Sequence, residues 1–130
     1  MPRTLLLALF LLALAAPAAH AQANCRCTTY QSVAQFVQFN DVIFKGKALS
    51  AKTEYGVTAT QFQVLETLKG EPAATVAVSH PAPGTSCGGV AFKPGQTALI
   101  VAQGLPEDLA TTSCQLSAYP EADLRRALGK

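Results

Sequence analysis

Four cysteines and a histidine carry most of the side-chain chemistry open to this sequence: Cys25 and Cys27 two residues apart, Cys87 ahead of two glycines, Cys114 near the end, and His80 before Pro81. Thiolates and an imidazole are soft ligands, so Cys25, Cys27, Cys87 and His80 have the residue types of a soft metal site. A thiol with an imidazole is also the raw material of a cysteine nucleophile. Both chemistries need reduced thiols, and the start of the chain argues against them. Met1-Pro2-Arg3 leads into an apolar block from Leu5 to Ala16, which has signal-peptide length and is too short to cross a bilayer comfortably. Small residues then alternate in Ala19-His20-Ala21 and Ala21-Gln22-Ala23, placing cleavage after Ala21 or, preferably, after Ala23. Gln22-Ala23-Asn24 lacks the small residues that precede a lipid-modified cysteine.

Residues 1–23 therefore read as a signal peptide and residues 24–130 as one exported domain, secreted or periplasmic. An even number of cysteines in an oxidising compartment favours two disulfides. Cys25 and Cys27 would point the same way along a strand, so each is expected to reach a distant partner, which leaves two pairings open. With all four thiols paired and His20 leaving with the leader, neither catalysis, nor a cofactor, nor a metal of its own is expected.

Charge and size narrow the classes further. Lys and Arg total 10 against 8 Asp and Glu, and Arg3 leaves with the leader. The near-neutral remainder argues against a nucleic-acid partner or an anionic membrane, and no second apolar run would insert the mature chain in a membrane. A domain of this size has a marginal core on its own, so covalent staples would help it. Lys45, Lys47, Lys52 and Lys69 could form a basic stripe, but Glu54, Glu66 and Glu71 interleave with them and favour a solvated face. Tyr30, Tyr55 and Tyr119, if exposed, are candidate anchors for a protein contact, although tyrosines at strand and helix margins are as often half-buried.

The elements that would position these residues follow from periodicity. Ser32-Val33-Ala34-Gln35 has the form of a capping box, and Val33, Phe36 and Val37 follow at helical spacing, predicting a helix over Ser32 to Asn40. Val42 to Leu49 reads as a strand with Gly46 at a bulge, and Thr58 to Leu68 as a second. Thr75 to Ser79 is a third, broken by the loop His80-Pro81-Ala82-Pro83-Gly84. The apolar run Thr97 to Ala102 suits a central strand, and Leu109 to Cys114 reads as a fifth. Pro120 opens a closing helix with Leu124, Ala127 and Leu128 on one face and Gly129 beyond it. Five strands with a short helix before the first and a C-terminal helix predict an all-β protein, a five-stranded barrel of the OB type.

In order, Cys25-Arg26-Cys27, Asp41 to Ala48, Phe62 to Gly70 ending in Lys-Gly, Ser86-Cys87-Gly88, Pro94 to Ile100 and the segment ending at Cys114 resemble the netrin-like module. Within that module they are similar to the N-terminal domain of the tissue inhibitors of metalloproteinases, in the form found in small secreted bacterial proteins. The resemblance spans nearly the whole mature chain. It implies an OB-type barrel with disulfides Cys25–Cys87 and Cys27–Cys114, and a monomer that binds a protein partner, an extracellular zinc metalloprotease. It further implies an inhibitory ridge of Cys25, Arg26, Thr85, Ser86 and Cys87. There the main chain of Cys25 would chelate the protease zinc at its open coordination position, and Arg26 would enter the specificity pocket. Two features depart from that pattern. Both cleavage sites leave at least Asn24 ahead of Cys25, which turns the chelating amine into an amide, and Arg26 stands where a small polar residue is usual. The alternative is a non-inhibitory interaction module that shares only the fold and disulfides.

Overall fold

The computed structural model of the chain describes residues 26–85 and 88–130. Residues 1–25, which include the expected signal peptide, Asn24 and Cys25, lie outside the described residues, as do Ser86 and Cys87. Helix α1 spans Val33–Phe39, and the Ser32 side chain accepts the Gln35 N–H at 3.1 Å. The reciprocal bond differs by one residue from the usual capping box, because Gln35 Oε1 accepts from the Gln31 N–H at 2.7 Å. At the other end Asn40 Nδ2 donates to the Phe36 carbonyl at 2.8 Å. Lys69 Nζ donates to the carbonyls of Val37, at 2.7 Å, and of Asn40, so a cation meets the negative end of the helix.

Strands β1 (Val42–Glu54) and β2 (Val57–Lys69) form a hairpin closed by Tyr55 and Gly56 at φ 50° and 76°, the two-residue geometry that matches strand twist. Register shifts between Ile43 and Phe44, Lys45 and Gly46, and Ala48 and Ser50 curl this ribbon. At Gly46 a Cβ would stand 2.7 Å from the Phe44 ring and 3.2 Å from Phe62 Cβ. The glycine at the predicted bulge therefore admits two phenylalanines to the core.

β3 (Thr75–Pro81) pairs antiparallel with β2, and β4 (Thr97–Leu105) pairs antiparallel with β1. The short β5 (Asp108–Ala110) runs antiparallel to β4 and parallel to β3, closing a barrel in the order β1-β2-β3-β5-β4. This is the expected five-stranded barrel of the OB type. Helices α2 (Ser113–Ser117) and α3 (Glu121–Leu128) follow it.

Two apolar cores share β1 and β4. Phe44, Phe62, Val78, Ile100 and Leu109 fill the barrel. Ile43, Val101, Phe36, Val37, Leu68 and Leu124 form a second layer between the barrel wall and helices α1 and α3. Residues 100–102 thus alternate between two buried faces, which is why Thr97 to Ala102 reads as an uninterrupted apolar run.

Two sequence expectations are corrected. β3 does not break at His80: it runs to Pro81, with Thr58 opposite His80. Proline is tolerated at the last strand position, and Ala82 N–H continues toward the hairpin by donating to the Gly56 carbonyl at 2.9 Å. Nor is Leu109 to Cys114 a continuous strand. After Ala110 the buried Thr111 donates its hydroxyl to the Val101 carbonyl at 2.6 Å, and Thr112 starts α2, which carries Cys114. Gln115 and Leu116 N–H groups both donate to the Thr112 carbonyl at 3.1 Å, so these residues satisfy their backbone locally instead of in the sheet.

Candidate functional site

The described part of the N-terminal segment, residues 26–30, packs against α1 and α2 and is pinned at two points. Cys27 is disulfide-bonded to Cys114 on α2, with Cα atoms 5.4 Å apart, a normal span for the bond. Tyr30 packs edge-on against Phe36 at 5.0 Å between ring centroids, and Phe36 in turn meets Tyr119 at 5.0 Å. Tyr30 and Tyr119 are therefore half-buried members of the second core, the second of the two roles open to them from sequence. Tyr55, at the hairpin tip, is fully exposed.

Pinned in this way, residues 26–30 stand between clefts. One, of about 430 Å³, has Arg26, Gln103, Thr112 and Gln115 in its walls and Tyr30 and Phe36 at its base. A second, of about 380 Å³, lies along the other side of the disulfide, bounded by Thr29, Ser117 and Tyr119. A smaller third runs toward Phe39 and Gln35. The amides in the first cleft are held in place. Gln103 Nε2 donates to the Phe39 carbonyl at 2.9 Å, and Gln115 Nε2 donates to Asn40 Oδ1 at 2.8 Å. Asn40, fully buried, ties α1, α2 and β2 together beneath the segment.

Of the residues predicted to form a binding ridge, Arg26 lies here, exposed, together with Cys27 and with Gly88, whose carbonyl accepts the Ser113 N–H at 3.4 Å. Thr85 sits elsewhere. It caps its own turn by donating hydroxyl and N–H to the Ala82 carbonyl at 2.6 and 3.2 Å, beside the β1–β2 hairpin tip. Cys25, Ser86 and Cys87 lie outside the described residues. Sequence reasoning missed Gln103, Thr112 and Gln115; the Thr112-x-x-Gln115 spacing, the form of a helix start, was the available signal.

Of the soft-metal combination, only Cys27 and His80 are among the described residues. Cys27 is a disulfide sulfur, and His80 is buried on β3 with Nε2 2.7 Å from Thr60 Oγ1 and its ring edge-on to Phe92. Among the described residues no group of three or more His, Cys, Asp or Glu is placed to hold a metal ion, and no helix is long and apolar enough to cross a membrane.

The lysines do not make a free basic stripe. Lys45 pairs with Glu121 at 3.4 Å, Lys52 with Glu54 at 3.1 Å, and Lys69 caps α1. The main ionic cluster joins α3 to β2. Arg125 holds Glu66 with two hydrogen bonds, at 2.9 and 2.7 Å, and also reaches Glu121 at 2.9 Å. The guanidinium holds both carboxyls below the usual glutamate range, and they raise its own affinity for the proton.

No protein-family model and no curated protein matches this chain.

Proposed function

We propose that the chain is an exported, secreted or periplasmic netrin-like binding module that engages a protein partner through the ridge around residues 26–30. The observation that carries this reading is the Cys27–Cys114 disulfide, which fixes an exposed, irregular segment to α2 between two clefts that it helps to line. A rigid projecting segment loses little conformational entropy on docking, and such preorganisation is how small stapled domains bind well. The partner class is a zinc metalloprotease. Its catalytic zinc keeps an open position that the main chain of Cys25 would fill, provided that processing frees the Cys25 amine, while Arg26 enters the adjoining specificity pocket.

The Ala21-Gln22-Ala23-Asn24 sequence favours a second reading. If Asn24 stays attached, the nitrogen of Cys25 is an amide and does not coordinate zinc, and the module binds without inhibiting. One experiment separates the two. The naturally exported protein is sequenced at its N-terminus by mass spectrometry and titrated against a panel of zinc metalloproteases. Inhibition by a chain that starts at Cys25, abolished when an alanine is added ahead of Cys25, is the outcome expected of the chelating wedge. Binding without inhibition by a chain that starts at Asn24 identifies the non-inhibitory module. Absence of binding across the panel rejects a metalloprotease partner.

A further inference from the structure

Among the described residues, Arg26 is the only charged side chain lining any of the three clefts around residues 26–30. The rest of this surface is amide, hydroxyl, disulfide and aromatic. Arg26 is exposed, and it takes part in none of the ion pairs among the described residues. All the acidic residues of the sequence are among those described, and the ones engaged by charge serve other cations: Glu54 by Lys52, Glu66 and Glu121 by Arg125, and Asp123 by Arg126. Asp41 accepts the Gly104 N–H at 2.8 Å. The two arginines of α3 are both ion-paired, whereas Arg26 is not.

Resting on the reading that this ridge is a docking surface, we infer that the protein surface it meets carries carboxylates placed to receive Arg26. Covering an unpaired guanidinium with an apolar or cationic surface would strip its hydration without return. A carboxylate-bearing pocket replaces that hydration, and the planar fork of arginine matches a carboxylate with two parallel hydrogen bonds. The uncharged surroundings suit a ring of contacts that excludes water around one central charged anchor. They do not suit a polyanion, which is held by many cations at once.

The test uses the exported protein and its Arg26→Glu, Arg26→Ala and Arg26→Lys variants, with circular dichroism showing that each folds. Random peptides displayed on phage are selected on the wild-type protein, and the enriched peptides are synthesised. The inference requires enrichment of Asp- or Glu-centred peptides, with affinity falling about tenfold or more in Arg26→Glu, less in Arg26→Lys, and weakening with added salt. Enrichment of non-acidic peptides, affinity indifferent to Arg26, or no enrichment at all overturns it. So does Arg26-dependent retention on heparin at physiological salt, which would assign the residue to a polyanion. The metalloprotease panel judges the docking partner separately. An acidic, Arg26-dependent peptide preference with no protease bound keeps the inference and discards that partner, whereas proteases bound equally well by wild type and Arg26→Glu do the reverse.

Discussion

His80 and Thr60 show how a residue's neighbours decide its role. In the sequence His80 stands before a proline and reads as part of a loop. In the barrel it is 2% exposed, with Nε2 2.7 Å from the Thr60 hydroxyl on the neighbouring strand and Nδ1 3.3 Å from the Pro81 carbonyl. Thr60→Val keeps the shape and deletes the hydroxyl, leaving a buried ring nitrogen without a partner, which should cost about 1–3 kcal/mol. Thr60→Ser should recover most of that loss. Urea denaturation of the three proteins measures it, and equal midpoints for wild type and Thr60→Val would show that the bond contributes nothing. Gly46 makes the complementary case for volume. Adding one methyl 2.7 Å from the Phe44 ring overpacks the barrel, so Gly46→Ala should lose about 1–3 kcal/mol. A variant as stable as wild type would mean that the two rings can move apart freely.

At the scale of elements, α3 is docked from both sides. Leu124 is buried in the outer core, and Arg125 bridges Glu121 on its own helix to Glu66 on β2. Both carboxyls are held below the ordinary glutamate value of 4.5, chiefly by their hydrogen bonds to Arg125. A carboxyl depressed by folding contributes stability above its unfolded value, and that contribution fades as pH falls through the folded one. The chain should therefore lose stability on acidification below about pH 4.5. Glu66→Gln should show a shallower loss between pH 5 and pH 3 than wild type, in unfolding midpoints taken across that range. Parallel pH profiles would remove the cluster from any account of acid sensitivity. Because Glu66 is exposed and its partners are only half-buried, salt should also narrow the difference between the two proteins.

Much of this scale was legible in the sequence. The Ser32 cap and the spacing of Val33, Phe36 and Val37 placed α1 to within a residue, and the strands read over Val42 to Leu49 and Thr58 to Leu68 fall in the barrel's main ribbon, although β1 runs on to Glu54. The misreadings occur where local and tertiary demands part. Pro81 looks like a strand breaker, but at the last rung its missing N–H costs the ladder nothing. Leu109 to Cys114 has strand-forming residues, yet the chain must leave the sheet after Ala110 for Cys114 to reach Cys27, and Thr111 redirects it by bonding Val101. The clefts were the least legible part. They arise where α1, α2 and the N-terminal segment converge, and Gln103 and Gln115 become wall residues through bonds to Phe39 and Asn40, 64 and 75 positions away.

For the whole molecule, the barrel and the ridge are held by different forces, and they should separate experimentally. The barrel closes through its ladders and a core led by Phe44, Phe62 and Ile100. The ridge depends on a covalent link between residues 87 positions apart. Replacing both Cys27 and Cys114 by serine should lower stability by about 2–4 kcal/mol, since the open chain regains the freedom that a long closed loop removes. Far-ultraviolet circular dichroism should still report the β-barrel at moderate temperature. Residues 26–28 should become rapidly exchanging in amide hydrogen exchange while β1, β2 and β4 stay protected, because only the segment loses its anchor. A uniform loss of protection across the strands would instead make the disulfide a condition of the fold itself, and the ridge would then be inseparable from the barrel beneath it.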